Sequence, residues 1–123
     1  MFNQVLFAGR LTKNPEFKEF QNGNKQCRIT IAVQRPFRAT NGDKLTDFFN
    51  VTLWKGLAEN VFSHCKTGSL VIVKGRLENN NYTNKEGQQV FTNEIIAERL
   101  IYLTTNNKTN EIESDDIEID SKE

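Results

Sequence analysis

Four aromatic side chains stand among polar or charged neighbours, where they can hold a flat, π-faced partner but make or break no bond. Two lie in residues 47–54, whose strand alternation puts Phe49, Val51 and Leu53 on one face and Phe48, Asn50, Thr52 and Trp54 on the other. A ring set beside Asn and Thr keeps apolar area in water, and stacking a base over it returns about 1–3 kcal/mol per base in known single-strand binders. Periodicity alone fits equally well a pair of rings packed under a loop or a second subunit. Phe37 falls between Arg35 and Arg38 in a loop that links two strands, and loops run over the surface. Tyr82 is the one large apolar side chain in residues 79–84, close to a turn. Arg28, Lys55, Lys74 and Arg76 fall on strand faces or element ends near these rings, where cations bond phosphates and cover bases.

Charge separates the chain into two objects. Residues 1–103 hold 14 Lys and Arg against 9 Asp and Glu, a net +5, whereas residues 104–123 hold 2 against 7, a net −5. A cationic body with exposed rings suits a polymer of phosphates and flat bases, single-stranded nucleic acid above all. A detached acidic tail suits a competing ligand or a docking peptide. Catalysis is not expected: there is one histidine, His64, and neither Cys27 nor Cys65 has Cys-x-x-Cys spacing or partners for a metal. No Gly-rich phosphate loop is present, so no cofactor is expected, and both thiols read as reduced. Met1-Phe2-Asn3-Gln4 runs straight into strand-like sequence and no stretch is long and apolar enough to span a bilayer, so a cytoplasmic location is expected.

The elements that must position the rings follow from periodicity. Val5, Phe7, Gly9 and Leu11 share one face of a first strand, which Asn14-Pro15 interrupts before it resumes over residues 16–20. Asn22-Gly23 is suited to a tight hairpin turn, and the second strand that follows directs Cys27, Ile29, Ile31 and Val33 to the core. Asn41-Gly42 then turns the chain into the third strand at residues 47–54. Leu57, Ala58, Val61, Phe62 and Cys65 recur at helical spacing over residues 55–66, and Thr67-Gly68 ends the run. Residues 70–77 and 90–103 make the last two strands, separated by a turn at Asn84-Lys85-Glu86-Gly87. Most of Phe2, Phe7, Phe17, Phe20, Phe62, Phe91 and Tyr102 read as core. The order predicts an all-β domain over residues 1–103, a five-stranded barrel of the OB type or another small barrel, with one helix between strands three and four. A disordered acidic tail is expected over residues 104–123.

Val5-Leu6-Phe7-Ala8-Gly9-Arg10-Leu11-Thr12-Lys13-Asn14-Pro15-Glu16, Ile29-Thr30-Ile31-Ala32-Val33, Asp47-Phe48-Phe49-Asn50-Val51-Thr52-Leu53-Trp54 and Ala58-Glu59-Asn60-Val61 occur in that order, followed by Lys66-Thr67-Gly68-Ser69 and Val73-Lys74-Gly75-Arg76-Leu77. Together they resemble the bacterial single-stranded DNA-binding protein family over nearly all of residues 1–103. The resemblance implies an OB fold, a homotetramer, and sequence-tolerant binding of single-stranded DNA in replication, recombination and repair. It also implies base stacking at the positions of Phe37, Phe48, Trp54 and Tyr82. Two departures stand out. Family members often carry basic residues just before the position of Tyr82, where this chain has Glu78-Asn79-Asn80-Asn81. The family's acidic tip, which recruits replication and repair proteins, closes with Pro and Phe after a long linker. Here the tip contains Asp115, Asp116, Ile117 and Ile119 and is followed by Ser121-Lys122-Glu123, with almost no linker before it, as an accessory or mobile-element version of the protein would have.

Overall fold

Alternating apolar residues build a barrel wall whose inner face is aliphatic. The computed structural model describes residues 1–103 and the backbone of Thr109–Glu113. Strands β1 (Val5–Leu11), β2 (Glu16–Glu19), β3 (Lys25–Arg38) and β4 (Lys44–Trp54) precede helix α1 (Lys55–His64). Strand β5 (Leu70–Asn79), the two-residue pair β6 (Tyr82–Thr83) and β7 (Gln89–Val90), β8 (Asn93–Leu103) and β9 (Thr109–Glu113) follow. The sheet runs β1-β5-β8-β4-β3-β2, and a further pairing of β1 with β3 closes it. The five long strands of the expected OB barrel are therefore present, with the helix between the third and fourth. Closure is tight at Gly9, where a Cβ would lie 2.2 Å from the Ala32 carbonyl oxygen, so β1 can pass from β5 to β3 only without a side chain at that position.

Inside, Cys27, Ile29 and Ile31 of β3 meet Val51 and Leu53 of β4, Val71 and Val73 of β5 and Leu100 of β8, all buried. Helix α1 plugs one end with Leu57, Ala58 and Val61, and Cys65 caps it from the following turn. Burial pushes the Cys27 thiol up to about 12 and that of Cys65 to about 11, so both stay protonated and inert at neutral pH. No described helix is long and apolar enough to cross a membrane.

Several expectations change. The Asn22-Gly23 turn is a three-residue loop: Phe20 is hydrogen-bonded to Asn24, the Gly23 amide donates to the Phe20 carbonyl (2.9 Å), and Gly23 alone takes a positive φ, +88°. The last strand breaks at Phe91 and Thr92, giving the small β6–β7 hairpin its own ladder. Phe7, Phe17 and Tyr102 join the core or pack on it, but Phe2 and Phe91 are solvent-exposed, because each lies just outside the ladders that would cover it. Phe62 is half in solvent, stacked on Phe17 across the α1–β2 contact (ring centroids 4.9 Å apart). Within the expected tail, Thr109–Glu113 pairs antiparallel with β8. Asp115, Asp116, Ile117 and Ile119 lie outside the described residues.

Candidate nucleic-acid interface

The antiparallel β2–β3–β4 ladder sorts its outward side chains into rows. Phe48 stands beside Ala32, Asn50 beside Thr30, Thr52 beside Arg28 and Glu16, and Trp54 beside Gln26 and Lys18. Phe48, near the middle of β4, and Trp54, at its end, thus share one strand face, about 20 Å apart at ~3.3 Å per residue. The Thr30 hydroxyl donates to Asn50 Oδ1 (2.8 Å), fixing the polar ground between the rings. Phe48 is 65% exposed, Phe37 59% and Tyr82 54%. Trp54 is half-buried, and the ring of Phe20 stacks on the indole at a centroid distance of 6.0 Å and an interplanar angle of 27°. Lys18 Nζ lies over the Phe20 ring, 4.8 Å from its centroid.

Trp54 is held at the strand's end by an abrupt change of direction. Helix α1 begins at the next residue with no loop between, and Lys55 makes the turn with φ +57°, a left-handed conformation that costs a side-chain-bearing residue about 1–2 kcal/mol. The cleft beside it, about 280 Å³, is lined by Asn24, Trp54, Lys55 and Arg76, so two of the expected cations flank the indole.

A second, polar cleft of about 320 Å³ runs between the rings, lined by Lys13, Glu16, Arg28, Thr30, Asn50, Thr52, Asn80, Asn93 and Glu94. Asn80 precedes the β6–β7 hairpin and donates its amide to the Thr92 carbonyl (2.9 Å), so the cleft leads from the β4 face toward Tyr82. Two carboxylates lie in it. Glu16 is paired with Lys13 (2.9 Å), which holds its carboxyl below the usual range, and Glu94 accepts a hydrogen bond from Thr52 Oγ1 (2.8 Å). That contact buries Thr52, which alternation alone places in solvent: the parallel pairing of β4 with β8 brings Glu94 over it.

The expected cations differ in freedom. Arg28 is exposed at the centre of the face. Arg35 is forked onto Asp47 through two bonds of 2.9 Å, which raise the pKa of the guanidinium and lower that of the carboxyl. Arg38 Nη1 donates to the Gly42 carbonyl in the hairpin loop (3.1 Å). Burial alone would lower Arg76, but hydrogen bonds and charge from Glu78 (2.8 Å) and Glu98 (3.3 Å) outweigh it and raise its pKa. Lys74 is set apart. It pairs with Leu6 of β1 and Arg99 of β8, on the outer face of a different part of the barrel.

Sequence reasoning missed Phe20, Lys13 and Lys18. The missing signal was register: a two-residue turn at Asn22-Gly23 would pair Phe20 with Lys25 and point it inward with Cys27 and Ile29, whereas the observed loop pairs Glu19 with Lys25 and turns Phe20 outward.

The chain is similar to single-stranded DNA-binding proteins of several bacteria. The chain is 40% identical over 103 residues to Single-stranded DNA-binding protein B of Bacillus subtilis, covering 84% of this chain and 91% of that protein. It is 42% identical over 107 residues to Single-stranded DNA-binding protein 2 of Staphylococcus aureus, covering 87% and 76%. With the Single-stranded DNA-binding protein of Halalkalibacterium halodurans it shares 42% over 103 residues, 84% of this chain but only 61% of that longer protein. Residues 2–103, the span that closes the barrel and carries its outward rings, match the profile of the single-strand binding protein family, and to that family this chain belongs.

Proposed function

We propose that this chain binds single-stranded DNA without sequence preference and shields it in replication, recombination and repair. Bases stack on Phe37, Phe48, Trp54 and Tyr82, while Arg28, Arg38, Lys55 and the other cations of the β2–β3–β4 face contact phosphates. The observation that carries this reading is the placement of Phe48 and Trp54 outward on one otherwise polar strand face, in a barrel of this family. Every base has a π-face, so rings spaced along a cationic track accept any sequence. The proposal includes no bond-making step.

Assembly as a homotetramer is part of the proposal. Its support is a second outward face, on β1, β5 and β8, where Ala8, Ile72 and Ile101 form an aliphatic row, Leu6 (69% exposed) stands in the next row beside Lys74, and Leu103 is exposed as well. Exposed aliphatic side chains of this kind suit a second copy of the barrel better than a nucleotide. The two unpaired buried thiols suit a reducing cytoplasm. Recruitment of replication or repair proteins through the acidic residues after 113 is proposed from charge alone.

A labelled oligo-dT and its duplex, titrated against the protein by fluorescence anisotropy, test the reading. Tight binding of the single strand and much weaker binding of the duplex is the expected result. Equal affinity for both would overturn it. A matched oligo-U in the same experiment reports whether RNA competes, since ring platforms accept both polymers.

A further inference from the structure

We propose that Phe20, together with Lys18 and Arg28, forms a further nucleotide subsite that carries the single strand past Trp54 onto β2. The inference rests on the reading of the chain as a single-strand binder and extends its track beyond the four rings named above.

Strand β2 presents Glu16 and Lys18 outward, in the same rows as Arg28 and Gln26 of β3 and Thr52 and Trp54 of β4. Phe20 continues that side by one more step. Its ring stacks on Trp54 at 6.0 Å and carries the Lys18 ammonium at 4.8 Å, so a cation, two rings and Arg76 beyond them follow one another across the face. A ring that served only to fill space under Trp54 would be closed in by apolar neighbours. Phe20 instead lines an open cleft of about 540 Å³ with Glu16, Phe17, Lys18, Gln26 and Arg28, a size and polarity that fit one nucleotide.

Charge in the cleft favours a phosphate. Lys18 and Arg28 face one carboxylate, Glu16, which Lys13 already neutralises at 2.9 Å. The platform is also set in advance: the Phe20 amide donates to the Asn24 carbonyl (2.8 Å), its carbonyl accepts from Gly23 (2.9 Å), and the Asn24 amide donates to Asn22 Oδ1 (3.0 Å). Little order remains to be gained when DNA arrives. A base that stacks on Phe20 displaces the Lys18 ammonium from the ring and releases it to the adjoining phosphate, so one residue serves the ring in the free protein and the backbone in the complex.

Photo-cross-linking of the full chain to an oligo-dT carrying 5-iodouracil, with adducts mapped by peptide mass spectrometry, tests this together with the affinity of Phe20→Leu, which keeps apolar bulk at the site but removes the ring. The expected result is an adduct on Phe20 as well as on Trp54 or Phe48, and about fivefold to tenfold weaker oligo-dT binding by the variant. Adducts on Trp54 or Phe48 with none on Phe20 would overturn the subsite and leave the function standing. An absence of adducts on every one of these rings would overturn the stacking account on which the subsite rests.

Discussion

On the β2–β3–β4 face, Phe48 and the stacked Phe20–Trp54 pair stand among Asn, Thr, Gln and Arg, whereas on the β1–β5–β8 face Ala8, Ile72 and Ile101 form one aliphatic row and Leu6 follows in the next, beside Lys74 and Arg99. Both faces leave apolar area in water, and the difference between them lies in shape and neighbours. Flat rings flanked by cations match a ligand that alternates bases and phosphates, while a face centred on exposed aliphatic side chains matches another surface like itself. Lys74 shows how the barrel draws the line: strand alternation makes it outward, and its position between β1 and β8 puts it on the aliphatic side, away from the rings.

Breaking the aliphatic face should have the largest effect. Ile72→Asp places an unpaired charge in each copy of the proposed contact, at about 3–5 kcal/mol, and light scattering after gel filtration should show the tetramer dissociating while each barrel still binds a short oligo-dT. A variant that stays tetrameric would separate the aliphatic face from assembly. On the ring face, Trp54→Ala or Phe48→Ala should each weaken oligo-dT binding by about 1–3 kcal/mol, roughly five- to 150-fold, a range established on OB-fold single-strand binders themselves. The salt slope and the oligomeric state should not move. Arg28→Ala should do the opposite, costing little affinity at high salt and lowering the slope of log affinity against log salt by about 0.7 for the lost phosphate contact.

The smallest effect sharpens the contrast between free and engaged cations. Arg35 is tied to Asp47, so Asp47→Asn should release it to phosphate and steepen the salt slope by at most about 0.7. Acid should act in the same direction. The Asp47 pKa is lowered in the folded chain, so the pair's stabilisation is complete above the ordinary aspartate value and is lost as pH falls through the lowered one. Binding titrations at pH 3 to 7 should therefore show the wild-type slope approaching that of Asp47→Asn only at the acidic end.

Much of this was legible in the sequence because it depends on short-range alternation. Cys27, Ile29 and Ile31 face inward and Phe48 outward by the same period-two rule, and Leu57, Ala58 and Val61 mark one side of a helix at the expected place. What escaped depends on how strands are joined. One extra residue in the loop after Phe20 set the register that turns Phe20, read from the sequence as core, outward onto Trp54. The parallel neighbour β8 buried Thr52, and barrel closure moved Lys74 to the other side. Pairing partners far apart in the chain leave no mark on local periodicity.

Trp54 is the chain's one tryptophan, so its emission reports directly on the ring face. Titration of the full-length protein with oligo-dT, followed at once by Trp54 fluorescence and by anisotropy of a label on the DNA, should give strong, saturable quenching that tracks binding at low and high salt alike. Anisotropy that saturates while Trp54 emission stays unchanged would mean that DNA is held elsewhere on the barrel, and the stacking account would fail.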